Sequence, residues 1–145
     1  MFAMNIRKAK TADLGALVAF DTVARGLQRR IETIKQATIQ GRCWVYAEGG
    51  TPMGYAIMQD DVLDHPFIQL VFVAAEHRRH GIASKLIRHI ETLAQGQGRE
   101  KILTSTNKSN APMQAALATL GYRPCGEITG LDEGDPEFVY LKPLV

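Results

Sequence analysis

The chain has 145 residues, a length that fits one domain rather than two. Apolar residues make up 46% of the sequence and charged residues 22%, which is ordinary for a globular domain and excludes extended disorder. The net charge is +2 at pH 7 and no run of Lys or Arg exceeds two residues, so nucleic acid is excluded as an expected partner.

The sequence shows no membrane or export pattern. Its longest uninterrupted apolar run, residues 70–75, is far shorter than a membrane span. Residues 1–7 lack the basic region and long apolar stretch of a signal peptide. Cys43 and Cys125 have no Cys-x-x-Cys spacing, so we expect two small buried residues in a reducing compartment. These features predict a cytoplasmic protein.

Two helices are predicted after a short first strand over residues 2–8. A polar cap at Thr11 precedes an apolar-periodic stretch, which predicts a helix that begins near Ala12. A second helix is predicted over 27–39, where apolar residues recur on one side, and Gly41 ends it.

A β-hairpin is predicted next. Two strand-like runs, 43–47 and 53–58, flank a Gly-rich turn. Residues 60–66 are mostly polar, and we expect them to form a connection into the apolar strand 67–73.

The centre of the chain predicts a βαβ unit. After strand 67–73, a helix over 81–95 carries apolar side chains spaced four, four and three residues apart, so one stripe faces the core. The stripe consists of Ile82, Leu86, Ile90 and Leu93. A strand over 101–105 follows. Two strands joined through a helix form a parallel pair with a right-handed crossover.

The C-terminal part predicts one more helix and two strands. The helix begins at Asn110 and stops at Gly121. Strands are predicted over 122–128 and 137–141, and an acidic loop at 131–136 joins them.

The predicted order of elements is β-α-α-β-β-β-α-β-α-β-β. The fold class is therefore α/β with a mixed sheet: the central βαβ unit is parallel, the flanking hairpins are antiparallel, and helices cover the faces. Without repeats or linkers in the sequence, residues 1–145 are expected to form a single domain.

The most informative motif is Arg78-Arg79-His80-Gly81-Ile82-Ala83, between the apolar strand and the amphipathic helix. The first turn of a helix has N–H groups without internal partners, and the helix dipole adds positive charge there, so such a turn binds phosphate. Gly81 permits close backbone approach to a ligand. The alternative is a surface turn with solvated arginines, because short glycine motifs also match by chance.

With its context, this motif resembles the GNAT superfamily of acyl-CoA-dependent N-acyltransferases, and the resemblance covers nearly the whole chain. Residues 73–83 are similar to the family's pyrophosphate motif, Arg/Gln-x-x-Gly-x-Gly/Ala. Asn110 lies eleven residues before Gly121-Tyr122, as in the later family motif, where an Asn begins a helix that ends in Gly-Phe or Gly-Tyr. Residues 6–14 look like the family's first strand and helix start. The resemblance implies transfer of an acetyl group from acetyl-CoA to a primary amine.

The resemblance also implies roles for individual residues. In the family, the fourth and fifth strands splay apart and the pantetheine arm of acetyl-CoA lies between them. Val71 and Val73 would make main-chain contacts, and the Val73 N–H would polarise the thioester carbonyl. Asn110 would bind the cofactor through its amide, cap its helix, or do both. The cofactor-binding residues implied are Val71, Val73, Arg78, Arg79, His80, Gly81, Ile82, Ala83, Ser84 and Asn110. The side chains of Arg78 and Arg79 would add charge or remain solvated.

At two catalytic positions the sequence departs from the family. Seven residues after Asn110, where a Tyr often protonates the departing thiolate, it has Leu117. Where many members place a carboxylate on the fourth strand, it has Gln69, which cannot act as a base but could position water or substrate. Tyr140, on the last strand, is a further catalytic candidate if it faces the acceptor pocket; the alternative is a structural aromatic residue.

Other titratable residues are expected to have simpler roles. Glu76 is a candidate base, but beside the cofactor turn it is expected to be solvated or paired with an arginine. His65 and His77 could titrate near neutrality, and they are expected to be surface histidines. No metal is expected, because His77 and His80 lie in the phosphate turn and no third ligand has suitable spacing.

The acceptor is not identified by the sequence, and a small-molecule amine is favoured over a peptide. The residues that could form the acceptor pocket are Phe20, Asp21, Arg25, Trp44, Asn107, Asp132, Glu133, Asp135 and Glu137. Acidic side chains at the pocket would attract a cationic amine. A non-catalytic acyl-CoA sensor is the main alternative function, and a nucleotide-dependent transferase is disfavoured because the turn lacks a Gly-Lys-Ser/Thr ending. A homodimer is left open.

Overall fold

The structure is a computed structural model that describes residues 5–145. The strands are β1 (Ile6–Lys8), β2 (Cys43–Glu48), β3 (Thr51–Val62), β4 (His65–Val73), β5 (Lys101–Asn107), β6 (Arg123–Ile128) and β7 (Glu137–Pro143). The helices are α1 (Leu14–Phe20), α2 (Gln28–Ile39), α3 (Ile82–Gly96) and α4 (Ala111–Thr119). This order confirms the predicted one. Residues 2–4 of the predicted first strand lie outside the described residues.

The seven strands form one mixed sheet in the order β1-β2-β3-β4-β5-β7-β6. Every neighbouring pair is antiparallel except β4 and β5, which are parallel and joined through α3. The predicted parallel βαβ unit is therefore confirmed. The parallel register is short, because only Phe67 with Leu103 and Ile68 with Thr104 are paired.

A hydrophobic core lies on each face of the sheet. Leu86 and Ile90 of α3 and Leu117 of α4 pack on one face, with a stripe spacing that agrees with the predicted one. Leu17 of α1 and Ile34 of α2 pack on the other. Within residues 5–145, no helix is long and apolar enough to cross a membrane.

A β-bulge in β4 centres on Gln69. Leu70 pairs with Ile57 and Ile68 pairs with Met58, so Gln69 is the extra residue between two successive partners on β3. Ile68 consequently packs in the core beneath α3, whereas Leu70 packs against the core beneath α1 and α2. In a regular strand both would face the same side. Beyond the bulge the ladder between β4 and β5 ends, and the sheet opens.

The predicted polar connection at 60–66 is wrong. β3 continues to Val62 and β4 begins at His65, so a two-residue turn joins them. Leu63 and Asp64 both have positive φ, 53° and 67°, as this type of hairpin turn requires. The strand ends here are largely solvent-exposed, and for this reason their polar side chains have the pattern of a loop.

Two further expectations need correction near the ends of elements. The first helix begins at Leu14 after a short 3₁₀ turn at Thr11–Asp13, so Thr11 does not cap it; the Asp13 carboxylate accepts the Lys10 N–H at 2.7 Å at the start of that turn. Asp13 also pairs with Arg7, and this hydrogen bond lowers the pKa of the Asp13 carboxyl. Cys125 is exposed because it lies in the edge strand β6, whereas Cys43 is buried as predicted.

Candidate active site

The turn before α3 adopts a conformation that directs backbone N–H groups outward. Arg79 and Gly81 both have left-handed backbones, with φ of 67° and 74°. The first α-helical hydrogen bond runs from the Lys85 N–H to the Gly81 carbonyl oxygen, at 3.0 Å. The N–H groups of Ile82, Ala83 and Ser84 therefore have no partner within the helix, and this first turn can bind an anion.

The end of β4 presents a main-chain donor to the opening in the sheet. The Ala74 N–H donates to the Met53 carbonyl oxygen of β3 at 2.9 Å. Because successive N–H groups of a strand point to opposite sides, the Val73 N–H points away from β3, toward the opening. Arg78 holds this strand end: its Nε donates to the Val73 carbonyl oxygen at 3.0 Å, and its guanidinium lies 5.3 Å from the centre of the Phe72 ring. Arg78 is thus bound to β4 through its side chain.

A cavity of about 620 Å³ connects the turn with the end of β4. It is lined by Val71, Phe72, Val73, His77, Arg78, Arg79, Gly81, Ile82, Ala83, Ser84, Asn110, Pro112, Met113 and Ala116. The structure thus brings together all the implied cofactor-binding residues except His80, which is exposed in the turn and does not line the cavity.

Asn110 lies where this cavity meets a second one. Its Oδ1 accepts the Met113 N–H at 3.2 Å, so it is the N-cap of α4. The side chain lines both cavities, as do Val71, Phe72 and Met113. The two cavities are therefore adjacent at the diverging ends of β4 and β5.

The second cavity, of about 300 Å³, is more polar. Its polar lining residues are Arg30, Gln69, Thr104, Ser105, Thr106, Asn107, Asn110 and Glu137. Among the described residues on its wall, Glu137 supplies the only carboxylate, and its Oε2 accepts the Ser105 hydroxyl at 2.7 Å. Gln69 is exposed there, and its Oε1 accepts the Gln59 amide at 2.9 Å.

A buried carboxylate fixes the position of Arg30. Asp21 is completely buried, and its Oδ1 accepts the N–H groups of Val23 and Ala24 at 2.9 and 3.0 Å. Its Oδ2 accepts Arg30 Nε at 3.0 Å and the Tyr55 hydroxyl. Burial is the main cause that raises the pKa of Tyr55, so the hydroxyl stays protonated and continues to donate. These contacts orient a guanidinium at the wall of the second cavity.

Asp132 and Asp135, which could have faced an acceptor pocket, bond to the end of β5 and to Ser109 instead. Asp135 accepts the Ser109 N–H and hydroxyl at 2.9 and 2.6 Å. Asp132 accepts the Asn107 amide at 2.9 Å. These bonds hold the acidic loop to the end of β5 and to the segment that follows it, and neither carboxylate lines the second cavity. Of the four acidic residues considered, Glu137 alone lines it.

Tyr140, a candidate catalytic residue, does not face either cavity. It is 5% exposed and belongs to the core beneath α3, and it lines neither cavity. Three further pocket candidates are elsewhere: Asp21 is buried behind Arg30, Arg25 donates to the Ala19 carbonyl oxygen, and Trp44 belongs to the same core as Tyr140. Leu117, 1% exposed, lines the second cavity as an apolar residue.

Sequence reasoning missed Arg30 and Ser105. Ser105 lies near the carboxyl end of a strand parallel to β4, which is where ligands bind in open sheets, and this placement was an available signal. Arg30 had no comparable signal, because its role depends on the distant Tyr55 and on the burial of Asp21. Among residues 5–145, no three His, Cys, Asp or Glu side chains are grouped to hold a metal ion.

Comparison with known proteins identifies a matching family and similar folds. Residues 16–122 match the model of the acetyltransferase (GNAT) family. A GNAT-family acetyltransferase from Bacillus cereus ATCC 10987 is 32% identical, with a TM-score of 0.83 over 96% of both chains. The NatC complex bound to Gag peptide and CoA, 16% identical, has a TM-score of 0.79 over 97% of this chain and 98% of its own, which shows likeness of fold.

Human N-acetyltransferase 8 is 29% identical over 94 residues, which is 61% of this chain. The match spans only 41% of that protein's length. Because the family model matches most of the sequence and the fold agrees, the chain belongs to the GNAT family of acetyltransferases.

Proposed function

We propose that this protein transfers the acetyl group of acetyl-CoA to a primary amine bound in the second cavity. The observation that carries the proposal is the junction of two cavities at the opening between β4 and β5. The first has an anion-binding turn, and the second has a carboxylate, Glu137. A donor with a phosphate group and an acceptor with an amine would therefore meet beside Val71 and Phe72.

The residues of the first cavity suit acetyl-CoA. The free N–H groups at the start of α3 would bind the pyrophosphate, and the apolar walls, including Pro112 and Met113, would contact the pantetheine arm. Binding of acetyl-CoA is characteristic of the family, and the structural relative NatC is known in complex with CoA.

The chemistry requires few side chains because a thioester is already activated. The Val73 N–H would donate to the thioester carbonyl oxygen, where negative charge develops as the amine attacks. A C–N bond forms and the C–S bond breaks, and CoA leaves as a thiolate, which is feasible because thiols have a pKa of about 8.5. Glu137 would accept the proton that the amine loses and pass it to solvent.

A non-catalytic acyl-CoA sensor is the second candidate function. Leu117 favours it, because this side chain lines the second cavity without a hydroxyl to protonate the leaving thiolate. The two functions differ in one measurable respect: a sensor binds acetyl-CoA but releases no CoA when amines are added.

The test measures amine-dependent release of CoA thiol over a panel of amines, with acetyl-CoA affinity measured separately by calorimetry. Glu137→Gln is expected to lower kcat/KM for the amine by about 100-fold, the lower end of general-base effects, without changing acetyl-CoA affinity. Ser105→Ala, which removes only a hydrogen bond to Glu137, is expected to have a smaller effect.

Glu133→Gln is the matched control, since this exposed carboxylate of the acidic loop lines neither cavity. It is expected to behave as the wild type. Tight acetyl-CoA binding with no transfer to any amine would favour the sensor, and absence of acetyl-CoA binding would overturn both functions.

A further inference from the structure

The second cavity has two opposite charges on separate elements. Arg30 belongs to α2 and Glu137 to β7, and both line the cavity wall. They are not paired with each other: Arg30 donates to Asp21, and Glu137 accepts from Ser105. The cavity wall therefore offers a guanidinium and a carboxylate to one ligand.

Arg30 is held more firmly than a surface arginine. Its Nε donates to a fully buried carboxylate at 3.0 Å, and its guanidinium lies 5.5 Å from the centre of the Phe72 ring. The side chain nevertheless keeps 19% of its surface exposed. A guanidinium has five N–H donors in a rigid fork, so one carboxylate on Nε leaves donors for another anion.

We propose that the acceptor amine also carries a carboxylate, which binds Arg30 while the amine lies near Glu137. This inference rests on the proposed function of the second cavity. A carboxylate fits better than a phosphate dianion, because Asp21 already neutralises the Arg30 charge, so the free guanidinium N–H groups can bind a monoanion with less uncompensated negative charge. The volume of about 300 Å³ suits a small molecule, so an amino acid with a free amine is the substrate class.

The test uses matched pairs of amines that differ in one group. Glycine, β-alanine, 4-aminobutanoate and 6-aminohexanoate are each compared with the corresponding primary amide, and the ratio of kcat/KM for acid over amide is recorded. We expect the acid to be preferred by at least about tenfold for one chain length, since hydrogen bonds to charged groups have this magnitude.

The variant that removes the site is the double substitution Asp21→Asn with Arg30→Gln, which avoids leaving a buried unpaired carboxylate. Its acid-to-amide ratio is expected to fall to about one, and a thermal melt confirms that it is folded. A ratio within one variant is unaffected by general loss of activity. Arg29→Gln is the control: it removes the same charge from the neighbouring position of α2, outside the cavity lining, and is expected to keep the wild-type ratio.

Equal kcat/KM for acids and amides in the wild type would overturn this inference and leave amine acetylation standing. If no amine is acetylated, the proposed function fails, and calorimetry with the N-acetyl acids and N-acetyl amides in the presence of CoA still tests the anion site. Tighter binding of the acids that is lost in the double variant supports the inference, and equal binding overturns it.

Discussion

Gly81 and Gly98 share one backbone conformation but lie at opposite ends of α3. Their φ angles are 74° and 75°, and a Cβ at either position would meet no atom within 4 Å. Only Gly81 lines the first cavity. At the scale of single residues, alanine substitutions at these two positions separate two effects: the loss of stability from a left-handed alanine and the loss of ligand affinity from a blocked cavity.

Gly81→Ala and Gly98→Ala are each expected to lower the free energy of unfolding by about 1 kcal/mol, the cost of placing an L-residue in this region. Only Gly81→Ala is expected also to weaken acetyl-CoA binding, because its Cβ lies where the backbone must approach the pyrophosphate. Urea unfolding and calorimetry measure the two effects. Equal acetyl-CoA affinity in both variants would show that the turn does not contact the donor.

At the scale of elements, the start of α4 combines two roles in Asn110, and substitutions can separate them. Asn110→Ser keeps a side-chain oxygen for the cap, so stability is expected to be close to wild type while acetyl-CoA affinity falls. Asn110→Ala is expected to lose that affinity and about 1 kcal/mol of stability as well. Unfolding curves and calorimetry distinguish the variants. Wild-type acetyl-CoA affinity in Asn110→Ser would show that Asn110 acts only as a helix cap.

Elements that depend on residues close together in the sequence were predictable. The stripe of Ile82, Leu86 and Ile90 predicted α3, and the glycine turn predicted the wall of the first cavity. The bulge at Gln69 was not predictable, because an extra residue in one strand is recognised only from its pairing with another. The place of Arg30 in the second cavity was missed for the same reason: Arg30 and Glu137 are 107 positions apart in sequence, and the fold alone brings them to one wall.

At the scale of the whole molecule, His89 links stability to pH. It is 8% exposed in α3, and burial lowers its pKa below the ordinary value of 6.5. The unfolded chain therefore binds more protons than the folded chain at mildly acidic pH. The stability of the folded chain is accordingly highest above pH 6.5 with respect to this group, and it decreases as the pH falls below 6.5.

Unfolding free energy from urea titrations is accordingly expected to decrease between pH 7.5 and 5.5. His89→Gln, which cannot titrate, is expected to flatten this dependence. An unchanged slope in that variant would assign the pH dependence to other groups.

The short parallel ladder between β4 and β5 also determines how two parts of the sheet are connected. Two residue pairs join a four-stranded part of the sheet, β1 to β4, to a three-stranded part, β5 to β7. A molecule bound in the opening beyond them touches both parts, since its walls come from β4 on one side and from the start of α4, after β5, on the other. The acetyl donor would then bridge the two parts of the sheet beyond their shortest ladder, and its departure as CoA would remove that bridge.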